Sequence, residues 1–268
     1  MIRTPIRAAL AAALLASQAA HALEAFQTYD NFGGGVPIDT ARWIDGERIR
    51  VIKRGALNLM QRTWGSTQSS GGATFVNFNE SFANPAAVTA IKAKITVNAL
   101  EVNACATNTA LGQSRARIVG GFFNTGVPVP GSQLGDVIAQ IRLTRFSNST
   151  DPAGVLQVQG FASICTSADC NSGTTIGSVV SLGTVALGQA TTVQMQWDQP
   201  SKSFFFMRDN GAFSGSAVYT DTDTSPPSVP FKQLSTRLDL PSCAGTAPIV
   251  GSVDAVFDNI AVNQSAAP

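Results

Sequence analysis

Arginine, glutamine and threonine recur at two-residue intervals in four otherwise apolar stretches: Arg115 and Arg117; Gln140, Arg142 and Thr144; Gln157 and Gln159; Gln194 and Gln196. Residues two apart in a β-strand point to the same side. If the four strands neighbour one another, they build a sheet face of amide and guanidinium groups. Such groups make directional hydrogen bonds to hydroxyls and carboxylates, which is what a saccharide-binding sheet requires. The plainer reading is that any half-exposed antiparallel sheet has a polar face. Both readings treat these side chains as exposed, with little part in folding. Trp64, between Arg62-Thr63 and the loop Gly65-Ser66-Thr67-Gln68, is the tryptophan expected near the surface as a ring platform for a ligand. Trp43 and Trp197 are expected in the core.

Hydrolysis of a glycosidic bond needs two carboxyl groups roughly 5–10 Å apart. Asp45 with Glu47 and Asp221 with Asp223 have the spacing, although the first pair flanks Gly46 and the second sits in a Thr-rich loop before Pro226-Pro227. Asp254 and Asp258 would share a strand face about 13 Å apart, too far for that chemistry. The single histidine, His21, lies in a segment that reads as an export leader. Arg3 and Arg7 give a positive start, Ala8 to Ala16 an alanine- and leucine-rich stretch, and Ala20-His21-Ala22 a small-residue cleavage site. With residues 1–22 removed, the protein loses its one imidazole. Ser-His-Asp and Cys-His nucleophiles, histidine bases and histidine-ligated metals go with it.

The elements that must position these groups are strands. Period-two alternation appears in Ile91, Ala93, Ile95 and Val97, in Val137, Ala139, Ile141 and Leu143, and in Val193, Met195 and Trp197. Further strands are predicted near residues 48–60, 73–78, 115–124, 154–164, 175–187, 202–208, 231–240 and 252–262. No long window shows helical spacing, and Ser66 to Gly72, Gly126 to Gly135 and Thr220 to Pro230 read as loops. About a dozen strands in residues 23–268, with no linker or repeat, predict one all-β domain, a large antiparallel β-sandwich.

Four cysteines in an exported chain predict two disulfides, with three possible connectivities. The short polar loop between Cys165 and Cys170 favours that pair and leaves Cys105 with Cys243. Zinc is the competing reading, but paired Cys-x-x-Cys or Cys/His spacings are absent. Without Arg3 and Arg7 the 18 basic residues fall to 16 against 17 acidic ones, a balance that steers toward neither nucleic acid nor an anionic membrane. No segment after the leader reads as a membrane anchor.

The opening Tyr29-Asp30-Asn31-Phe32, followed by Ile38-Asp39-Thr40-Ala41-Arg42-Trp43, resembles the start of concanavalin A-like lectin/glucanase jelly rolls. Val253-Asp254-Ala255-Val256-Phe257-Asp258-Asn259-Ile260 resembles their closing strand. Val193 to Trp197, the turn Gln199-Pro200-Ser201, and Phe204-Phe205-Phe206 leading to Asn210-Gly211 resemble their late hairpin. The resemblance implies a jelly roll. It also implies a calcium site where the first and last strands meet, with Asp258 and Asp30 as ligands. The plainer role for Asp258 and Asn259 is to cap or bridge terminal strands. The Glu-x-Asp-x-x-Glu strand of the glucanase branch is missing. Gln140-Ile141-Arg142 resembles the Gln-Ile-His strand of jelly-roll alginate lyases, with arginine in place of histidine. Tyr29 and Tyr219, the two tyrosines, lie outside the tyrosine motif of those lyases.

The sequence therefore predicts a periplasmic or released bacterial protein, a lectin-like sandwich that binds a polysaccharide, glycan or other surface without catalytic apparatus. A hydrolase or lyase on the same fold, and a structural or assembly protein of the cell exterior, are the alternatives. Intact-mass measurement of the exported protein is expected to show Leu23 as its first residue. A mature form that retains His21 would contradict both the cleavage site and the exclusion of histidine chemistry.

Overall fold

The computed structural model describes residues 24–31, 33, 43–44, 50–67 and 73–267. The leader with His21, the Asp45/Glu47 pair and most of Ile38 to Trp43 lie outside the described residues. In chain order the strands are β1 (Phe26–Asp30), β2 (Trp43–Ile44), β3 (Val51–Lys53), β4 (Ala56–Trp64) and β5 (Thr74–Phe82). Then follow β6 (Ala90–Val102), β7 (Gln113–Asn124), β8 (Asp136–Phe146), β9 (Val155–Cys165) and β10 (Gly173–Ala186). The last five are β11 (Ala190–Asp198), β12 (Ser203–Arg208), β13 (Phe213–Val218), β14 (Lys232–Leu240) and β15 (Val250–Asn263).

They form two antiparallel sheets. The first runs β13-β12-β11-β6-β15-β4-β3 with β1 also paired to β15, and the second runs β10-β9-β8-β7-β14-β5-β2. This is the predicted sandwich of jelly-roll type. The opening and closing segments lie side by side, Thr28 opposite Ala261 and Asp30 opposite Ile260. The late hairpin is β11 against β12, with Trp197 opposite Phe204.

Alternation creates the core. Leu57, Ile91, Ile95, Met195, Phe206 and Phe257 from the first sheet meet Ile118, Ile141, Leu156, Val158 and Leu234 from the second in one buried cluster. On β7 the alternation breaks at a register shift between Gly121 and Phe123. An extra residue on one strand lets consecutive side chains face the same way. Phe122 and Phe123 both enter the core there, against Trp197, Phe204 and Tyr219, with ring centroids 5.0–5.9 Å apart for Phe123–Tyr219, Phe122–Phe204, Phe123–Trp197 and Phe122–Trp197. Gly160 on β9 must lack a side chain, because a Cβ there would strike the Phe206 ring.

Both disulfides form as expected, Cys105–Cys243 and Cys165–Cys170. The first spans 138 residues and ties the loop after β6 to the loop after β14. On the loop-entropy account such a closure stabilises by about 5 kcal/mol, and the short one by about 2.

A lysine of β14 sits on the core side of its strand. Lys232 is 3% exposed, and its Nζ donates to the carbonyls of Gly121 at 2.5 Å and Pro85 at 3.2 Å, 4.2 Å from the Phe122 ring centroid. Gly120 lies directly opposite on β7, and a Cβ there would occupy the place of the lysine stem. Burial pulls the ammonium down to about 7. Below that pH both folded and unfolded chains hold the proton, so the cost of burying the charge is fully present. Above it the folded state releases a proton that the unfolded state keeps, and stability rises with pH. The expected gain between pH 6 and 9 is roughly 2–3 kcal/mol. In Lys232→Met this dependence should vanish and stability at pH 6 should rise, as read by urea titration at both pH values. An unchanged pH dependence in the variant would show that Lys232 is not the group responsible.

Candidate functional site

The outer face of the second sheet, turned away from the core, carries an open groove of about 470 Å³. Its floor is laid by alternate residues of five adjacent strands: Asn77 and Asn79 on β5, Gln233, Arg237 and Asp239 on β14, Arg115 and Arg117 on β7, Gln140 and Arg142 on β8, and Ser163 on β9. Phe75 and Phe161 contribute rings from the two flanks. At one end Val119, Ile138 and Cys165 pack with Cys170 and Phe231 into a small apolar cluster beneath the disulfide loop. That loop walls the groove with Asp169 to Gly173, and Gln133 N–H donates to the Ala168 carbonyl at 2.8 Å to tie it to the β7–β8 connection.

β7 is the middle strand of its sheet and is buried on both sides along its whole length. Its outward arginines are therefore shielded by their neighbours. Arg117, 7% exposed, donates to Asn77 Oδ1 at 3.0 Å, Gln140 Oε1 at 3.2 Å and Ser235 Oγ at 3.4 Å. Gln140 is 8% exposed. These are not the solvent-exposed groups expected from the alternation, since long polar side chains at the centre of a face cover one another.

Arg115 pairs with Asp239 Oδ2 at 2.7 Å and Arg237 with Asp239 Oδ1 at 2.6 Å. Burial pushes the Asp239 carboxyl up, but the two guanidiniums outweigh it and hold it below the ordinary carboxylate value. Burial lowers Arg115 to about 10 and Arg142 to about 9, with repulsion between the two adding to the Arg142 shift. It lowers Arg117 well below its usual value, reinforced by Arg115 and Arg237. Arg142 is partly exposed. It lies over the Phe161 ring at 4.5 Å and the Phe146 ring at 5.4 Å, and donates through Nε and one Nη to Gln159 Oε1 at 3.2 and 2.8 Å. Gln159 in turn donates to Gln157, and Gln157 to Asp151. This amide relay fixes the Arg142 fork.

Arg115, Arg117, Gln140 and Arg142 thus meet in one place, and Gln157 and Gln159 lie on the same face just beyond the groove. Gln194 and Gln196 do not join them. They belong to β11 in the first sheet, 2% and 4% exposed, and Gln196 accepts from the Glu24 N–H at 3.1 Å. Trp64 also lies on the first sheet, 56% exposed with the Arg62 guanidinium 5.5 Å from its ring, and takes no part in the groove. Two-residue spacing assigns a face of a strand but not a sheet.

The remaining candidates are held elsewhere. Asp258 forms an ion pair with Lys94 at 2.7 Å, while Asp30 is 8% exposed on β1, and among the described residues no three His, Cys, Asp or Glu side chains gather as a metal site. Asp223 accepts from the Tyr219 hydroxyl at 2.7 Å, and that hydroxyl accepts from the Trp197 indole at 2.8 Å. Burial raises the Tyr219 pKa. Tyr29 and Tyr219 are both 3% exposed in the core cluster and outside the groove. Phe75, Phe161, Arg237 and Asp239 were missed as site residues, although Phe161 follows Gln157 and Gln159 on the same parity and Arg237 and Asp239 follow Gln233.

No family model and no curated protein matches the chain. Among solved structures it is similar to a 1,3-α-1,4-β-D-galactose-4-sulfate-3,6-anhydro-D-galactose 4 galactohydrolase, 11% identical, with 98% of this chain and 99% of that one covered at a TM-score of 0.43. A glycoside hydrolase family protein from Mycobacterium thermorestibile is 15% identical, with 89% and 99% covered at 0.43. The winged bean acidic lectin in complex with methyl-α-D-galactose is 13% identical, with 90% and 99% covered at 0.38. The two antiparallel sheets, with first and last strands paired, form the β-sandwich that the terminal segments led one to expect.

Proposed function

We infer that the chain is an exported, non-catalytic module that holds a glycan in the groove of its second sheet. One observation carries the reading: a floor of amides, hydroxyls and guanidiniums between two phenylalanine rings, in which both carboxylates have their pKa lowered. Asp239 is held down by Arg115 and Arg237, and Asp169 at the rim by hydrogen bonds from Ser167 and Asn171. A glycosidase general acid needs the opposite, a carboxyl whose pKa is raised so that it keeps its proton near neutrality. The groove volume lies in the usual range for a ligand site, and directional donors with aromatic walls suit hydroxylated rings. Two disulfides and the leader-like start support export. Among the described residues no helix is long and apolar enough to cross a membrane.

On an array of neutral and acidic plant, algal and animal polysaccharides the protein is expected to retain at least one class and to release neither reducing ends nor unsaturated products from it. Phe75→Ala, at a ring 40% exposed on the groove's flank, should weaken that retention roughly tenfold with little change in melting temperature. Cleavage products, or retention indifferent to Phe75, would overturn the reading.

A further inference from the structure

We propose that the ligand is an acidic glycan whose carboxylate or sulfate group seats between Arg117 and Arg142. This rests on the glycan-binding reading and narrows it to a charge class. Arg117 and Arg142 are direct cross-strand partners in the β7–β8 register. Like charges placed opposite each other oppose strand pairing, so something must offset them. Among the described residues no carboxylate pairs directly with either, and Asp239 acts on both only from beyond ion-pair distance. Arg117 is held by an asparagine, a glutamine and a serine, and Arg142 by a glutamine and two rings. Of the acids lining the groove, Asp239 bridges Arg115 and Arg237, while the Asp169 carboxylate takes its hydrogen bonds from Ser167 and Asn171. Four guanidiniums thus share one carboxylate on the floor.

A buried charge is tolerated when it is paired and its hydrogen bonds are satisfied. Arg117 has hydrogen bonds to neutral groups but no carboxylate in direct contact, Asp239 being its more distant counter-charge. It uses three of its five N–H donors on neutral acceptors. Arg115 Nε is buried with no acceptor. The open donors and the missing negative charge coincide in one groove. Guanidinium forks take carboxylate and sulfate oxygens in pairs, and the neutral partners already hold the forks in place, so little freedom is lost on binding. The groove is large enough for a saccharide segment around the acid group.

The test is isothermal titration with oligogalacturonate, its methyl ester, a chondroitin sulfate oligosaccharide and its desulfated counterpart, at matched ionic strength. At least one acidic member is expected to bind about tenfold or more tightly than its uncharged or less charged partner, with affinity falling as salt rises. Which pair discriminates identifies the acid as carboxylate or sulfate. Arg142→Gln should remove most of that preference, and Arg117→Gln should do so too, while neither variant melts lower than the parent by more than a few degrees. Trp64→Ala should leave all four affinities unchanged. Equal affinity for acidic and uncharged partners, or acid preference surviving in both arginine variants, would overturn the proposal while leaving glycan binding intact. Binding of inorganic sulfate but of no oligosaccharide on these probes or the polysaccharide array would overturn both readings.

Discussion

Four guanidinium groups crowded on the middle of one sheet face, with a single carboxylate between them, impose the constraint that organises this site. β7 is covered on both sides because it is the central strand of its sheet, so whatever projects from it must be buried. On the inner side that demand is met by Ala116 and Ile118 in the hydrophobic core. On the outer side it falls on Arg115 and Arg117, and the surrounding residues are arranged to answer it. Asp239 neutralises part of the charge, and asparagine, glutamine and serine side chains satisfy donors without adding charge. Phenylalanine rings cover the faces of Arg142 and Arg237. Burial of charge without full compensation costs stability.

The supporting parts follow from this. The amide chain from Asp151 through Gln157 and Gln159 has no role in the core, yet it orients the acceptor that holds the Arg142 fork. The Cys165–Cys170 loop packs its sulfurs on Val119 and Ile138 and presents polar atoms to the groove. Its closure makes the wall a fixed part of the sheet. Lys232, on the opposite side of β14, has its donors met by two carbonyls beside the Phe122 ring, yet burial still costs its charged form.

The sequence carried the strands and one face of the site plainly. Alternation at Ile91 to Val97 and Val137 to Leu143 marked core-facing positions, and the neighbouring Arg, Gln and Thr positions fell on the outer face as parity requires. Both disulfides followed from the short Cys165–Cys170 loop. Parity could not show that β11 joins the other sheet, so Gln194 and Trp64 were grouped with residues that they never approach. Nor could it show that Arg117 and Arg142 stand opposite each other, because register depends on the turn and on the bulge at Gly121–Phe123. Phe75 and Phe161 stand at two-residue spacing from Asn77 and from Gln159, so the same parity that marks the polar face also places them at the groove. β13 was missed because its Ser- and Gly-rich residues are weak strand formers held by pairing with β12.

The account depends on an acid group entering between two arginines. The most direct measurement is the NMR spectrum of the arginine Nε–H groups and the Trp64 indole during titration with the acidic oligosaccharide that binds. The Arg117 and Arg142 resonances should shift together and their exchange with water should slow, while the Trp64 indole stays in place. Shifts confined to Trp64, with both arginines unmoved at saturating ligand, would contradict it.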